Sequence, residues 1–158
     1  ADTDNNRVRK VLTDGTISTV AGTGTAGLSG DEGPGTLAEL DHPADIMLGA
    51  DGALYIADEG NERIRRVTSD DTISTVVGGG APPDGLGDGG PPTDAAVFPE
   101  DLSVDQQGRV FVADGFNNRI RKATLPSVPP PNRIVHYSYT ANGELQTKMQ
   151  LSPAQMTN

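Results

Sequence analysis

The 158-residue chain contains no cysteine. Disulfides and thiolate zinc sites are therefore excluded, while the compartment stays open, because many secreted bacterial proteins also lack cysteine. Aromatic residues are scarce at 4%, and no hydrophobic run is long enough to cross a bilayer, so membrane insertion is not expected. Basic residues are also few: Lys plus Arg number 12 against 22 Asp plus Glu, for a net charge of −10. A phosphate backbone would be repelled over most of such a surface, which argues against nucleic acid as a partner. The N-terminal "ADTDNN" shows no basic segment followed by an apolar one, although a signal peptide already removed would leave the same sequence. What is abundant is 20 Gly and 12 Pro, the composition of a turn-rich, all-β chain.

One block is written three times: "ADTDNNRVRK" from Ala1, "ADEGNERIRR" from Ala57 and "ADGFNNRIRK" from Ala113, a constant step of 56. Each "AD" closes one short β-type run and each "R-[VI]-R" opens the next, so the residues between them form a hairpin turn. "TISTVAG" at Thr16 and "TISTVVG" at Thr72 follow through a second turn. Ahead of the second and third "AD" come paired runs, Ile46 and Met47 with Leu54 to Ala57, then Leu102 and Val104 with Val110 to Ala113, separated by "DG" or "QG" turns. One period thus holds four short antiparallel strands and one long glycine-rich connection, the content of a propeller blade. Strands are expected at about Arg63 to Thr68, Thr72 to Val77, Pro99 to Val104 and Arg109 to Ala113.

Within the repeated turn, Asp58 can accept backbone N–H bonds, Asn61 can take a left-handed backbone and Arg63 can reach back to the Asp58 carboxylate. Asp2, Asn5 and Arg7, and Asp114, Asn117 and Arg119, repeat the constellation, which assigns one structural task to each blade. "GTGTAG" from Gly22 has the form of a dinucleotide fingerprint, but the following "LSGDEGPG" cannot be the helix that would receive a pyrophosphate. Asp31, Glu32, Asp84 and Asp88, in the two glycine-rich loops, are the candidates for calcium, the one cofactor considered; their spacing is not an EF-hand, and solvated turns are the preferred reading. His42 and His136 lack the companions a catalytic zinc needs, and His42 precedes Pro43 as Phe98 precedes Pro99, a packing slot. Ser18, Ser74 and Ser103 have no histidine at a related position, so no nucleophile is proposed. The basic pairs Arg7 with Arg9, Arg63 with Arg65 and Arg119 with Arg121 are read as partners in local salt bridges rather than an anion groove.

Pro43, Gly52, "LYIAD" and "NERI", and again Pro99, Gly108, "VFVAD" and "NNRI", resemble the NHL repeat. The pieces "TVAG", "GDEGP" and "GDGGP" look like the long-period variety found in large bacterial secreted proteins and in teneurins. This resemblance implies a β-propeller that binds other macromolecules. Beyond "LPSVPPPNR", the segment "VHYSYTANGELQTK" is similar to one YD repeat of Rhs and teneurin shells through Tyr137, Tyr139, Asn142, Gly143 and Leu145, with Thr140 where that family carries Asp.

The organisation read from the chain is an all-β, incomplete NHL-type propeller of about two to three blades over 1–124, with repeats starting at 1, 57 and 113. A Pro-rich linker over 125–133, a YD-like hairpin over 134–150 and a tail over 151–158 complete it. The expected role is non-catalytic contact with protein or glycan, as part of a secreted or cell-surface protein, with a bacterial source. One alternative is a metal-dependent lyase or hydrolase whose site lies in further blades; another is a structural cap of an Rhs or teneurin-like shell. So few blades cannot close a ring, so self-association or continuation in a larger chain is expected.

Overall fold

The computed structural model describes residues 1–125, 135–139 and 145–150. It is built of antiparallel sheets joined by turns and loops. The chain divides into two compact units, Ala1–Leu125 and Pro126–Asn158.

The first unit holds three sheets. β1 (Val8–Val11) pairs with β2 (Ile17–Ala21); β3 (Pro43–Leu48), β4 (Leu54–Asp58), β5 (Arg63–Val67) and β6 (Ile73–Gly78) form a four-stranded meander; β7 (Pro99–Val104), β8 (Arg109–Asp114) and β9 (Arg119–Thr124) form a three-stranded one. The strand positions read from the sequence agree with these bounds to within one or two residues. Each meander opens on a proline followed by a register shift, at Pro43/Asp45 and at Pro99/Asp101. A residue without an N–H is tolerated there because the irregularity removes the ladder bond it could not donate.

Periodicity in sequence becomes periodicity in packing. Val8, Ala21, Ala38, Leu40, Ile56, Val67 and Ile73 form one buried cluster between the first two sheets. A second cluster between the second and third sheets contains Ile64, Val77 and Val112, the counterparts of Val8, Ala21 and Ile56 one period of 56 on, and Ala95 and Val97, the counterparts of Ala38 and Leu40 in the glycine-rich loop, where the structural step is 57. The alternation of the strands places one residue in two on such a face, and the next sheet covers it. Gly22 and Gly78, at φ 93° and 89°, end the outer strands where a Cβ would run into the Asn6 and Glu62 carbonyls. No other residue allows so close a backbone approach.

In the second unit, β10 (Val135–Tyr139) and β11 (Leu145–Gln150) pair antiparallel, Val135 opposite Gln150 and His136 opposite Met149. The YD-like positions Asn142 and Gly143, most of the Pro-rich linker and the tail lie outside the described residues.

Candidate functional site

The "AD" turn is a short 3-10 helix in the first two copies, Thr3–Asn5 and Glu59–Asn61, and in the third a turn over 115–118 closed by the Asn118 N–H donating to the Gly115 carbonyl at 3.0 Å. Its left-handed residue is not the asparagine expected but the one after it: Asn6, Glu62 and Asn118, at φ 50°, 56° and 52°. The asparagine instead turns inward. Asn5 Nδ2 donates to Asp2 at 2.8 Å, Asn61 Nδ2 to Asp58 at 2.9 Å, and Asn117 Nδ2 to both Asp114 oxygens at 2.9 and 3.0 Å.

The arginine expected at Asp58 is also corrected. Arg63 stands directly across the ladder from Asp58, yet its guanidinium lies against Gly79, as that of Arg7 lies against Gly24. Arg65, two residues on and diagonal to Asp58, makes the contact: Nη1 donates to Asp58 Oδ2 at 3.2 Å, with both side chains fully buried. Likewise Arg121, not Arg119, donates to Asp114 Oδ2 at 3.4 Å. A diagonal pair is within reach of a side chain as long as arginine's.

What Arg65 and Arg121 hold besides the aspartate is the glycine-rich loop before their own sheet. Arg65 donates to Asp31 at 2.6 and 3.2 Å and to the Ser29 and Glu39 carbonyls at 3.2 and 3.3 Å. Arg121 donates to Asp88 at 2.6 Å and to the Leu86 and Ala96 carbonyls at 3.0 and 2.7 Å. The aspartate's second role is the same: Asp58 Oδ1 accepts the Asp41 N–H at 2.7 Å, and Asp114 Oδ1 accepts the Phe98 N–H at 2.8 Å. Loop entry, loop tip and strand are thus drawn onto one planar guanidinium, whose fork of donors suits several acceptors at once. Arg9 occupies the same repeat position in β1; its buried Nε has no hydrogen-bond partner among the described residues.

Burial pushes the Asp58 carboxyl up, against the pull of the Asp41 N–H, Asn61 and Arg65. The aspartate's oxygens are taken up by these donors, so the clasp fixes the shape of turn and loop.

The calcium candidates are dispersed over these loops. Asp31 is shared between Arg65 and the Thr75 hydroxyl at 2.8 Å; Asp88 lies between Arg121 at 2.6 Å and Arg119 at 3.6 Å. Asp84 accepts the Leu86 and Gly87 N–H groups at 3.1 and 2.7 Å, and these bonds hold its carboxyl below the usual range. Glu32 is exposed, and its N–H donates to the Ile73 carbonyl at 2.8 Å. Among the described residues no three His, Asp or Glu side chains converge. His42 is not in a packing slot: its ring is 61% exposed and lies 2.6 Å from Asp41, whereas Phe98 is half-buried and meets Phe116 at 6.0 Å. In the sequence Arg65 and Arg121 stand out only as members of the basic pairs. They share a strand face with Arg63 and Arg119, and the position directly across the ladder from the aspartate favours Arg63 and Arg119 instead.

Two family models match: one described as the teneurin NHL domain over residues 1–68, and one described as the NHL repeat over 97–122. Mouse teneurin-4 is 42% identical over 92% of this chain and 5% of its own length, so the chain spans about one twentieth of that relative. A crystal structure of a protein of unknown function from Bacteroides thetaiotaomicron is 27% identical, with a TM-score of 0.67 over 77% of this chain and 30% of its own. Virginiamycin B lyase from Staphylococcus aureus, at 18% identity and a TM-score of 0.51 over 97% of this chain and 37% of its own, shares the fold. With a blade's strand order, a period of 56 and matches to NHL models at both ends of the repeat region, this chain is an NHL-repeat segment of β-propeller type.

Proposed function

We propose that this segment is a non-catalytic interaction module of a larger secreted or cell-surface protein and that its blades and loops contact protein or glycan. The observation that carries this reading is the clasp. Twice, an arginine and a buried aspartate hold a glycine-rich loop in one shape, and a loop fixed in advance loses less entropy when it meets a partner. The small share of teneurin-4 that the chain covers supports its being one part of a longer polypeptide. Covering of its outer blade faces by the rest of that polypeptide or by a second copy belongs to the same proposal. So do the YD-like character of the hairpin and a bacterial source, the latter resting on the likeness of the long repeat to large bacterial secreted proteins.

Interferometry with the immobilised chain against glycan and cell-surface protein arrays tests the reading. Saturable binding to a purified glycan or protein that survives chelation is expected. Stoichiometric zinc or calcium in the purified chain, together with turnover that depends on it, would overturn the reading in favour of a propeller lyase or hydrolase.

A further inference from the structure

The second and third sheets differ in one respect that the repeat makes legible. In the second, β6 runs between β5 and the preceding glycine-rich loop. On one side Val67 faces Ile73 and Ile64 faces Val77. On the other, the Glu32 N–H donates to the Ile73 carbonyl at 2.8 Å and the Ile73 N–H donates to the Gly33 carbonyl at 2.9 Å. Ile73 is thereby fully buried among Ala38, Leu40, Ile56 and Val67.

One repeat later the same walls enclose a groove of ≈ 260 Å³. Ala95, Val97, Val112 and Ala123 stand where Ala38, Leu40, Ile56 and Val67 stand around Ile73. β9 forms one bank and Gly87 to Gly90 the other. Among the described residues β9 has no strand on its outer edge, and the Gly89 N–H and Gly90 carbonyl, counterparts of the Glu32 and Gly33 groups, have no backbone partner. Ile120, the counterpart of fully buried Ile64, is 76% exposed.

We propose that this groove is a binding site for a single extended β-strand of a partner polypeptide, of the class Thr-Ile-Ser-Thr-Val followed by a small residue and glycine. The register follows from β5 and β6: the partner's isoleucine lies opposite Ala123 and enters the apolar pocket, its serine and the threonine after it lie opposite Lys122 and Arg121, and the small residue after its valine lies opposite Ile120. β9 and the loop supply backbone bonds from both sides, so the strand is clamped rather than merely added at an edge. The sequence after β9 is not of this class: Pro126 and Pro129 to Pro131 lack the N–H groups that such a clamp requires. One loop bond has no counterpart, since Gly35, which donates to the Asp71 carbonyl, is replaced by Pro92. The strand is therefore held from its isoleucine onward.

The probe is a synthetic peptide of residues 69–79, which carries the strand that fills the equivalent site one repeat earlier. Calorimetry with the full chain is expected to give one peptide per chain, and hydrogen exchange to give slower exchange along β9. Replacing the peptide's isoleucine by Asp should weaken binding by at least about thirtyfold, because an apolar side chain leaves the pocket and a charge must enter it. Ala123→Arg in the chain, a half-buried position in the groove wall, should abolish binding while the circular dichroism stays unchanged. A folded chain that ignores the peptide at millimolar concentration would overturn the proposal. So would equal binding by Ala123→Arg, or a sedimenting dimer whose β9 is already protected.

Discussion

Replacing Arg65 by Met tests whether the clasp holds the loop and the strands together. Methionine keeps much of the aliphatic length and removes the guanidinium. Arg65 is fully buried and makes five hydrogen bonds, two to Asp31, one to Asp58 and one each to the Ser29 and Glu39 carbonyls. The contacts with Asp31, whose side chain is 43% exposed, are screened and add little. The larger loss is at Asp58, left buried with a charge that only the Asp41 N–H and Asn61 still answer. Breaking a buried pair in this way costs about 3–5 kcal/mol; with two donors remaining, the lower end of that range is expected. Arg63→Met, which removes no contact to Asp58, should cost under about 1 kcal/mol. Urea denaturation followed by circular dichroism measures both, and a double-mutant cycle with Asp58→Asn isolates the coupling. A coupling near zero for Arg65 with Asp58, or a larger one for Arg63, would refute the assignment of the clasp to Arg65.

Three further outcomes follow from the repeat geometry. Ile64→Ala should cost about 2–4 kcal/mol because Ile64 is fully buried, whereas Ile120→Ala, at the same repeat position but 76% exposed, should fall within about 0.5 kcal/mol of wild type. Equal effects in urea melts would show that the sheet faces are not stacked as described. Gly78→Ala places a Cβ against the Glu62 carbonyl at φ 89° and should destabilise the chain by about 2 kcal/mol or more, while Gly52→Ala, with open space around it, should lose only the smaller cost of a positive φ. Thermal melts of the two variants decide this by their order. Asp84, held below the ordinary 3.8 by the Gly87 and Leu86 N–H groups, favours the folded loop above the unfolded carboxyl's pKa, and that contribution is lost as pH falls through its own lower value. The Leu86 and Gly87 amide resonances should therefore titrate with a midpoint below 3.8, and a midpoint above it would contradict the cap.

The sequence by itself determined the period and the strand content. Alternating β-branched residues between turn dipeptides specify strands locally, and three copies of the "AD" block at a step of 56 specify that they recur as blades. It also marked Asp58, Asn61 and their counterparts as a repeated constellation, because a polar cluster between two strands has a task in each copy. Which arginine serves that constellation was decided only in three dimensions. Arg63 and Arg65 project from the same face of β5, and reading straight across the ladder selects Arg63. The fold lays the first guanidinium against Gly79 and leaves the second to cross diagonally toward Asp58 and the loop. Burial was likewise a tertiary decision: Val8, Ile64 and Ile120 are equivalent letters in the repeat, yet the first two are buried and the third is exposed, because burial belongs to whatever packs on a face and not to the residue that forms it.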